Sequence, residues 1–260
     1  MARPDRDILP GLRLAVGLLT IVRVRPPEAI TRDVGRRAML LAPAAVLPVA
    51  GLAAGLGWAA LALGQPAMLA GVVVVAAIAF GTRAMHADGL ADTVDGLGSG
   101  KPAEAALQIM RRGDIGPMGT VAVVLALIAQ ALAAGELLGA PWGWVQLVVG
   151  VCASRGALAL ACLAGVPAAR ADGLGRLVAG TVPRWAAGAL WLVLGTATAA
   201  AGLLAGRPWW VPLLGLGLAM GAVWWLLARC VRRLGGVTGD VLGAAVEVAA
   251  TVLLLVAAAG

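Results

Sequence analysis

Three carboxylates and the only histidine of the chain stand close together after an apolar run. Asp88, Asp92 and Asp95 lie within eight residues of one another, and His86 precedes them. No Lys or Arg lies between residues 84 and 100 to pair with these acids, although the neighbouring segments are basic. Carboxylates at this spacing repel one another. A chain that keeps them together is expected to hold a cation there.

Helical spacing places the three carboxylates side by side. Asp88, Asp92 and Asp95 stand at i, i+4 and i+7, which puts them within about 60° of one another on a helix. We expect this helix to continue the second membrane span at its polar end. A row of carboxylates suits Mg²⁺, which keeps several waters and also binds phosphate oxygens. His86 points about 160° away from this face on a regular helix. It is either a separate base or ligand, or a simple interfacial histidine.

Cationic residues that could bind phosphate follow in two places. Arg111, Arg112 and Asp114 come after a short polar helix, and the two arginines either hold phosphates near the metal or anchor a loop at the membrane surface. Arg155 lies inside an apolar span, where a charge is costly and usually faces the bundle interior with a partner. Its expected partner is Glu247, Asp240 or a phosphate.

A second acidic motif lies near the C-terminus. Gly235-Gly-Val-Thr-Gly-Asp240 precedes an apolar helix, and Asp240 and Glu247 share one face of it at i and i+7. Free amides at a helix start favour anions, and the glycines allow a ligand to approach closely. Thr238, Asp240 and Glu247 are therefore candidates for binding substrate or its phosphates.

The elements that position these residues are membrane spans. The chain is 61% hydrophobic and only 13% charged, against about 25% charged residues in a soluble domain. This composition predicts an all-α polytopic membrane protein of one domain, 1–260, with about seven transmembrane helices. The predicted spans are 38–63, 67–82, 116–139, 144–165, 185–205, 209–228 and 241 to the end. Residues 8–22 are apolar but short and contain Arg13, so they predict an interfacial helix within a basic N-terminal segment, 1–37.

Charge predicts the orientation. If the N-terminus is inside, eighteen of the twenty Lys and Arg residues fall on the cytoplasmic side, in 1–37, 83–115, 166–184 and 229–240. The turns on the other side are too short for a catalytic site, so the chemistry is expected in the cytoplasmic loop 83–115 and its neighbours. The net charge of +7 follows from this asymmetry, and no basic patch with interleaved aromatic residues predicts nucleic-acid binding. The three cysteines form no disulfide or zinc pattern.

The motifs resemble a known family. His86-Ala-Asp-Gly-Leu-Ala-Asp-Thr-Val-Asp-Gly96, Ile109-Met110 followed by Ile115-Gly116 and Gly119, and Gly235 to Ala244 with Glu247 are similar to cobalamin synthase, the adenosylcobinamide-GDP ribazoletransferase family. The resemblance covers nearly the whole chain, and the two end motifs together are specific. One departure is Arg112, where many members carry an Asp; Asp114 lies two residues further on.

The resemblance implies a reaction and a place for it. The 3′-hydroxyl of α-ribazole, or of its 5′-phosphate, attacks the cobinamide-side phosphate of adenosylcobinamide-GDP, and GMP leaves. Mg²⁺ is the implied cofactor, with Asp88, Asp92 and Asp95 as its ligands. Arg155 and Arg111 or Arg112 would bind phosphate, and a carboxylate or His86 would take the hydroxyl proton. The implied location is the bacterial cytoplasmic membrane, with a homo-oligomer or an association with other cobalamin-assembly enzymes as possible assemblies.

Two other functions fit part of the sequence. Asp-Gly-x-x-Ala followed by further Asp residues also resembles membrane phosphotransferases that act on CDP-linked alcohols. The Arg usual after that Ala is absent, since Asp92 stands there, and the second acidic pair is spaced differently. An ion-coupled transporter would account for Arg155 and Glu247 as intramembrane charges but not for the acidic motif. Tests of substrates distinguish these alternatives.

Overall fold

The computed structural model describes residues 8–259 of the chain. In this part of the protein the backbone is helical, and two isolated β-bridges join Leu163 to Val182 and Ala168 to Val237. The helices are α1 (Leu9–Leu19), α2 (Arg32–Ala45), α3 (Leu47–Ala62), α4 (Ala67–Gly81), α5 (Met85–Gly98), α6 (Ala103–Ile109), α7 (Pro117–Gly139), α8 (Gly143–Ser154), α9 (Ala157–Ala161), α10 (Gly173–Val178), α11 (Arg184–Leu204), α12 (Trp210–Leu234) and α13 (Gly239–Ala258).

The spans agree with the sequence prediction. By length and composition, six segments are able to cross a membrane, and two of them are jointed: α2–α3 forms one segment, Arg32–Ala62, and α8–α9 forms another, Gly143–Ala161. The bent pair α4–α5 makes a possible seventh. The all-α polytopic architecture with about seven spans is therefore confirmed, and the short apolar helix α1 forms where an interfacial helix was predicted.

The acidic helix does not continue the second span. The axis bends by 88° between α4 and α5, so the predicted continuation is wrong. Arg83 and Ala84 adopt left-handed φ angles of 57° and 53° at the bend. The Arg83 guanidinium donates to the Gly17 and Leu18 carbonyl oxygens, both at 2.9 Å. The end of α1 therefore fixes the corner from which α5 starts.

α13 is the centre of the bundle. It packs against α5, α7, α8 and α12, and its buried residues are small or branched apolar ones, such as Val241, Ala245 and Ala249. Large apolar side chains elsewhere point outward, including Phe80 and Trp185, which are 79% and 76% exposed. Such exposed apolar surface suits contact with lipid, because lipid tails are as apolar as these side chains.

The basic segments gather at one end of the bundle. The Arg32 guanidinium donates to the carbonyl oxygens of Arg176 (2.6 Å) and Ala179 (2.7 Å), which ties the start of α2 to α10 and the loop after it. The Ala169 amide donates to the Val237 carbonyl oxygen at 3.0 Å, and the Val237 amide donates to Pro167 at 2.9 Å. The loop after α9 is thus fastened beside the start of α13.

Candidate active site

α5 lies against α13 because both helices carry glycine at the crossing. A methyl group added at Gly89 would lie 2.6 Å from the Asp240 carbonyl oxygen, and one at Gly243 would lie 3.2 Å from the Met85 carbonyl oxygen. Any larger residue at Gly89 would separate the helices. The close approach brings Asp88 and Asp92 of α5 to the start of α13, where Asp240 lies.

The carboxylates of Asp88, Asp92 and Asp240 influence one another across this crossing. Asp88 is exposed, whereas Asp92 and Asp240 are half-buried. Burial, and then the negative charges of Asp88, Asp240 and Asp95, raise the pKa of Asp92 to about 6. These repulsions are uncompensated within α5, because that helix carries no cationic residue. A bound cation would relieve them.

Asp95 has a different environment from the other two α5 carboxylates. One of its oxygens accepts a hydrogen bond from the Gly116 amide at 2.7 Å, and the other accepts from the Gly119 amide at 2.9 Å. Both amides belong to the start of α7, whose N-terminal amides have no partner within the helix. The Asp95 carboxylate therefore acts as an N-cap for α7 and joins α5 to that span.

The start of α13 is capped from within its own motif. The Thr238 hydroxyl accepts from the Val241 amide at 3.3 Å and donates to the Asp240 carboxylate at 3.1 Å. Thr238 is buried, so it orients Asp240 without lying open to solvent. Asp240 in turn forms an ion pair with Arg170 at 3.5 Å.

Arg170 and Asp172 were missed by the sequence interpretation. A second Arg170 nitrogen donates to the Leu107 carbonyl oxygen at 2.7 Å, and Arg111 forms an ion pair with Asp172 at 2.6 Å. The signal was present in the sequence, because 170–172 lies in a loop predicted on the same side as the acidic motif. The loop was interpreted only as a polar and basic connection.

These side chains line a cleft at the basic end of the bundle. Its volume is about 320 Å³, and an adjoining cleft of about 390 Å³ shares the walls Arg111, Arg170 and Asp172. The walls of the first are Arg111, Arg170, Asp172, Gly173, Leu174, Gly175, Val237, Thr238, Gly239 and Asp240. Two guanidinium groups and two carboxylates thus face one open space, an arrangement that suits a metal-neutralised phosphate.

Two of the three predicted magnesium ligands, Asp88 and Asp92, remain candidates in this geometry. Within residues 8–259, no three His, Cys, Asp or Glu side chains are gathered closely enough to hold a metal by themselves. Asp95 is directed to the start of α7, which separates it from Asp88 and Asp92. Magnesium is commonly bound through one or two carboxylates, with waters and substrate phosphates completing its coordination. Asp88 and Asp92, with Asp240 opposite, fit that donor set.

Arg155 and His86 lie in the interior behind α5. Arg155 is 2% exposed and donates to the Val151 carbonyl oxygen and the Ser154 hydroxyl, both at 2.9 Å. His86 is 3% exposed, and in the described part of the chain neither of its ring nitrogens has a hydrogen-bond partner. The negative charge of Glu247 acts on Arg155, and Glu247 is one of the three partners that the sequence analysis offers for this arginine. Neither Arg155 nor His86 is among the residues that line the cleft.

Of the remaining candidates, Glu247 lies inside the bundle, whereas Arg112 and Asp114 lie at the surface. Glu247 accepts a hydrogen bond from Gln130 at 2.7 Å inside the bundle. Arg112 and Asp114 are exposed on the loop before α7, outside the walls of the cleft. The structure therefore groups Asp88 and Asp92 with Asp240, Thr238 and Arg111 near the α5–α13 crossing. Arg155 and Glu247 lie inside the bundle.

These features define a polytopic helical membrane protein with an acidic and cationic cleft at its basic end. The family described as cobalamin-5-phosphate synthase matches residues 11–258, and the chain belongs to this family. It is 46% identical to an adenosylcobinamide-GDP ribazoletransferase of Nocardioides over 95% of this chain and 97% of the relative. It is also similar to proteins of that name from Frankia casuarinae (39%, covering 95% of this chain and 93% of the relative) and Bradyrhizobium diazoefficiens (36%, covering 98% and 95%). No solved structure matches the chain.

Proposed function

We propose that this chain is an adenosylcobinamide-GDP ribazoletransferase that forms the last phosphodiester of the cobalamin side chain. The observation that carries the proposal is the α5–α13 crossing, where Asp88 and Asp92 lie near Asp240. Asp240 also lines the neighbouring cleft together with Arg111 and Arg170. The substrates are inferred from the family, and the charged side chains of the cleft suit the binding of a diphosphate.

The proposed reaction is a displacement at phosphorus. The 3′-hydroxyl oxygen of α-ribazole, or of α-ribazole 5′-phosphate, bonds to the cobinamide-side phosphorus of adenosylcobinamide-GDP. The bridging P–O bond breaks, and GMP leaves with its electron pair. The hydroxyl proton passes to a carboxylate of the cleft. His86 receives no proton in this scheme, because it is enclosed on the interior side of α5.

Each residue of the proposed active site has a proposed role. Asp88 and Asp92, with Asp240, would hold Mg²⁺, which when bound neutralises charge on the transferred phosphoryl and on the leaving group. Arg111 and Arg170 bind the oxygens of the diphosphate. Asp95 holds α5 against the start of α7 and thereby fixes the direction of the Asp88 and Asp92 carboxylates. Thr238 orients Asp240.

We further propose that the cleft opens to the cytoplasm. Lys and Arg are in excess in the cytoplasmic loops of membrane proteins, and eighteen of the twenty Lys and Arg residues fall on the side of the cleft. A homo-oligomer, or an association with other cobalamin-assembly enzymes, belongs to the same proposal. Size-exclusion chromatography with light scattering in detergent measures the first directly.

The substrate test separates the proposal from its rivals. Detergent-purified protein is incubated with Mg²⁺, adenosylcobinamide-GDP and either α-ribazole or its 5′-phosphate, and GMP and the cobalamin product are measured by chromatography. We expect both products in equal amounts without any ion gradient. CMP release from a CDP-linked alcohol, with no GMP from adenosylcobinamide-GDP, would contradict the proposal. An absence of both, with ion uptake in vesicles, would favour transport.

A further inference from the structure

An apolar groove lies beside the cleft and takes no part in the proposed reaction. Its volume is about 540 Å³, and it lies between the loop after α9 and the end of α12, where α11 begins. The lining consists mostly of apolar side chains together with two arginines: Leu163, Ala164, Gly165, Val166, Pro167, Arg184, Trp224, Leu227, Ala228, Val231 and Arg232. No carboxylate is among these described lining residues.

The groove changes from cationic to apolar with depth in the bundle. Arg184 is the first residue of α11, and Arg232 lies in the last turn of α12, so both are at the basic end. Both arginines are exposed. Trp224 lies eight residues before Arg232 on α12, which places it about 12 Å deeper along the helix. Trp224 is 56% exposed, so the deep part of the groove opens towards lipid.

We propose that this groove binds one anionic phospholipid of the adjacent leaflet. The head-group phosphate would lie between the guanidinium groups of Arg184 and Arg232, and an acyl chain would follow Leu227 and Trp224. A free phosphate would leave the apolar wall unused. A zwitterionic lipid would add a cationic group beside two arginines, which opposes its binding.

Lipid in the groove would also support the wall of the proposed active site. The groove lining 163–167 continues directly into Ala168, which is bridged to Val237, and then into Arg170. The Ala164 amide donates to the Val182 carbonyl oxygen at 2.8 Å, so this short segment is anchored at both ends. Within residues 8–259, no element covers its face towards the groove. A lipid packed there fixes the segment that carries Arg170. This consequence rests on the proposed function, whereas the binding itself does not.

The binding test uses the full chain purified in mild detergent. Native mass spectrometry counts lipids retained after titration with dioleoyl-phosphatidylglycerol or dioleoyl-phosphatidylcholine. We expect one phosphatidylglycerol to bind more tightly than any phosphatidylcholine. The double variant Arg184→Gln/Arg232→Gln should bind phosphatidylglycerol about thirtyfold more weakly, since each cation near a bilayer surface contributes about fivefold. Arg229→Gln, an exposed cation of α12 outside the groove lining, is the matched control and should bind like the parent.

A conservative variant separates charge from folding. Arg184→Lys/Arg232→Lys keeps both charges and should retain phosphatidylglycerol within about threefold of the parent. Equal retention of both lipids by the parent, or unchanged phosphatidylglycerol in the double Gln variant, would overturn the proposal. Displacement of the lipid by adenosylcobinamide-GDP would place substrate in the groove, and a dimer that dissociates in the double variant would place a second copy there. Either outcome overturns it too.

The effect of the lipid on transferase activity is measured in a separate experiment. If the proposed transferase reaction is observed, its rate should rise when phosphatidylglycerol is added to parent protein in phosphatidylcholine nanodiscs, and it should not rise in the double Gln variant. Lipid binding without transferase activity would leave the site standing and contradict the proposed function instead. Transferase activity without selective lipid binding would contradict the lipid site and leave the proposed function standing.

Discussion

Among single residues, the three α5 aspartates have different environments although the sequence spaces them alike. Asp88 and Asp92 lie near Asp240 at the crossing with α13, whereas both oxygens of Asp95 accept hydrogen bonds from the start of α7. The spacing at i, i+4 and i+7 predicts a shared face, and that face is present. It does not determine which neighbour each carboxylate meets, because Gly116 and Gly119 reach Asp95 from 21 and 24 residues away.

This difference predicts separate effects of two substitutions on metal dependence. Asp88→Asn should raise the Mg²⁺ concentration for half-maximal rate at least about tenfold, because it removes a proposed ligand. Asp95→Asn should leave that concentration nearly unchanged but lower the free energy of unfolding by about 1 kcal/mol, because one helix-capping oxygen is lost. Mg²⁺ titrations of the transferase rate and thermal unfolding in detergent measure the two effects. A large shift in the Mg²⁺ dependence of the Asp95→Asn variant would show that Asp95 is a magnesium ligand.

Arg170 is the residue whose proposed role depends most on the structure. Its guanidinium reaches both Asp240 and the Leu107 carbonyl oxygen, so it lies where a diphosphate would enter. Arg170→Gln should lower kcat/KM for adenosylcobinamide-GDP by about 10²-fold, since it removes a positioned cation. Arg176→Gln changes an exposed arginine of nearby α10 and is the matched control. Equal activity of the two variants would exclude Arg170 from phosphate binding.

At the scale of elements, the crossing of α5 and α13 decides whether a cleft forms. The 88° bend turns α5 away from α4, and Gly89 and Gly243 allow it to lie directly on α13. The sequence predicted a helix through Asp88, Asp92 and Asp95 and a last span from about 241. It did not predict the bend, because Arg83 and Ala84 carry no local signal for left-handed φ angles, which favour glycine.

The crossing gives a prediction about glycine. Gly89→Ala should reduce transferase activity at least about tenfold and destabilise the protein by about 1–3 kcal/mol, because the new methyl group meets backbone atoms that cannot move independently. Gly188→Ala is the control, since nothing lies within 4 Å of a methyl group at that position of α11. Activity and thermal unfolding are measured for both. Parent-like behaviour of Gly89→Ala would show that the helices tolerate a wider separation.

For the whole molecule, the sequence predicted the span count and the grouping of basic loops. Hydrophobic length is a local property, so the spans could be predicted from it. The cleft could be predicted only in part, because Arg170, Asp172 and Asp240 meet through folding of the loop after α9 onto the start of α13. For Arg155 the sequence left three partners open: Glu247, Asp240 or a phosphate. In the structure Arg155 is buried and donates to the Val151 carbonyl oxygen and the Ser154 hydroxyl. Its position in the sequence gives its depth in the span but not which neighbouring helices enclose it.

The proposed orientation predicts the accessibility of the two ends. In cells, a Cys introduced at Arg207 should react with a membrane-impermeant maleimide, since Arg207 lies in the turn opposite the basic loops. A Cys introduced at Lys101 should react only after the membrane is permeabilised. The parent chain, with Cys162 and Cys230 buried, measures the background. Labelling of Lys101→Cys in intact cells would reverse the orientation and place the cleft outside.

The central claim is that the carboxylates at the α5–α13 crossing are required for the phosphoryl transfer. The measurement is GMP release from adenosylcobinamide-GDP and α-ribazole by purified Asp88→Asn/Asp92→Asn protein, beside the parent and Glu28→Gln, which changes an exposed acid outside the cleft. Elution from size-exclusion chromatography controls for folding. We predict a loss of at least about 10³-fold in the double variant and parent-like release in Glu28→Gln. Undiminished GMP release by a folded double variant would contradict the claim.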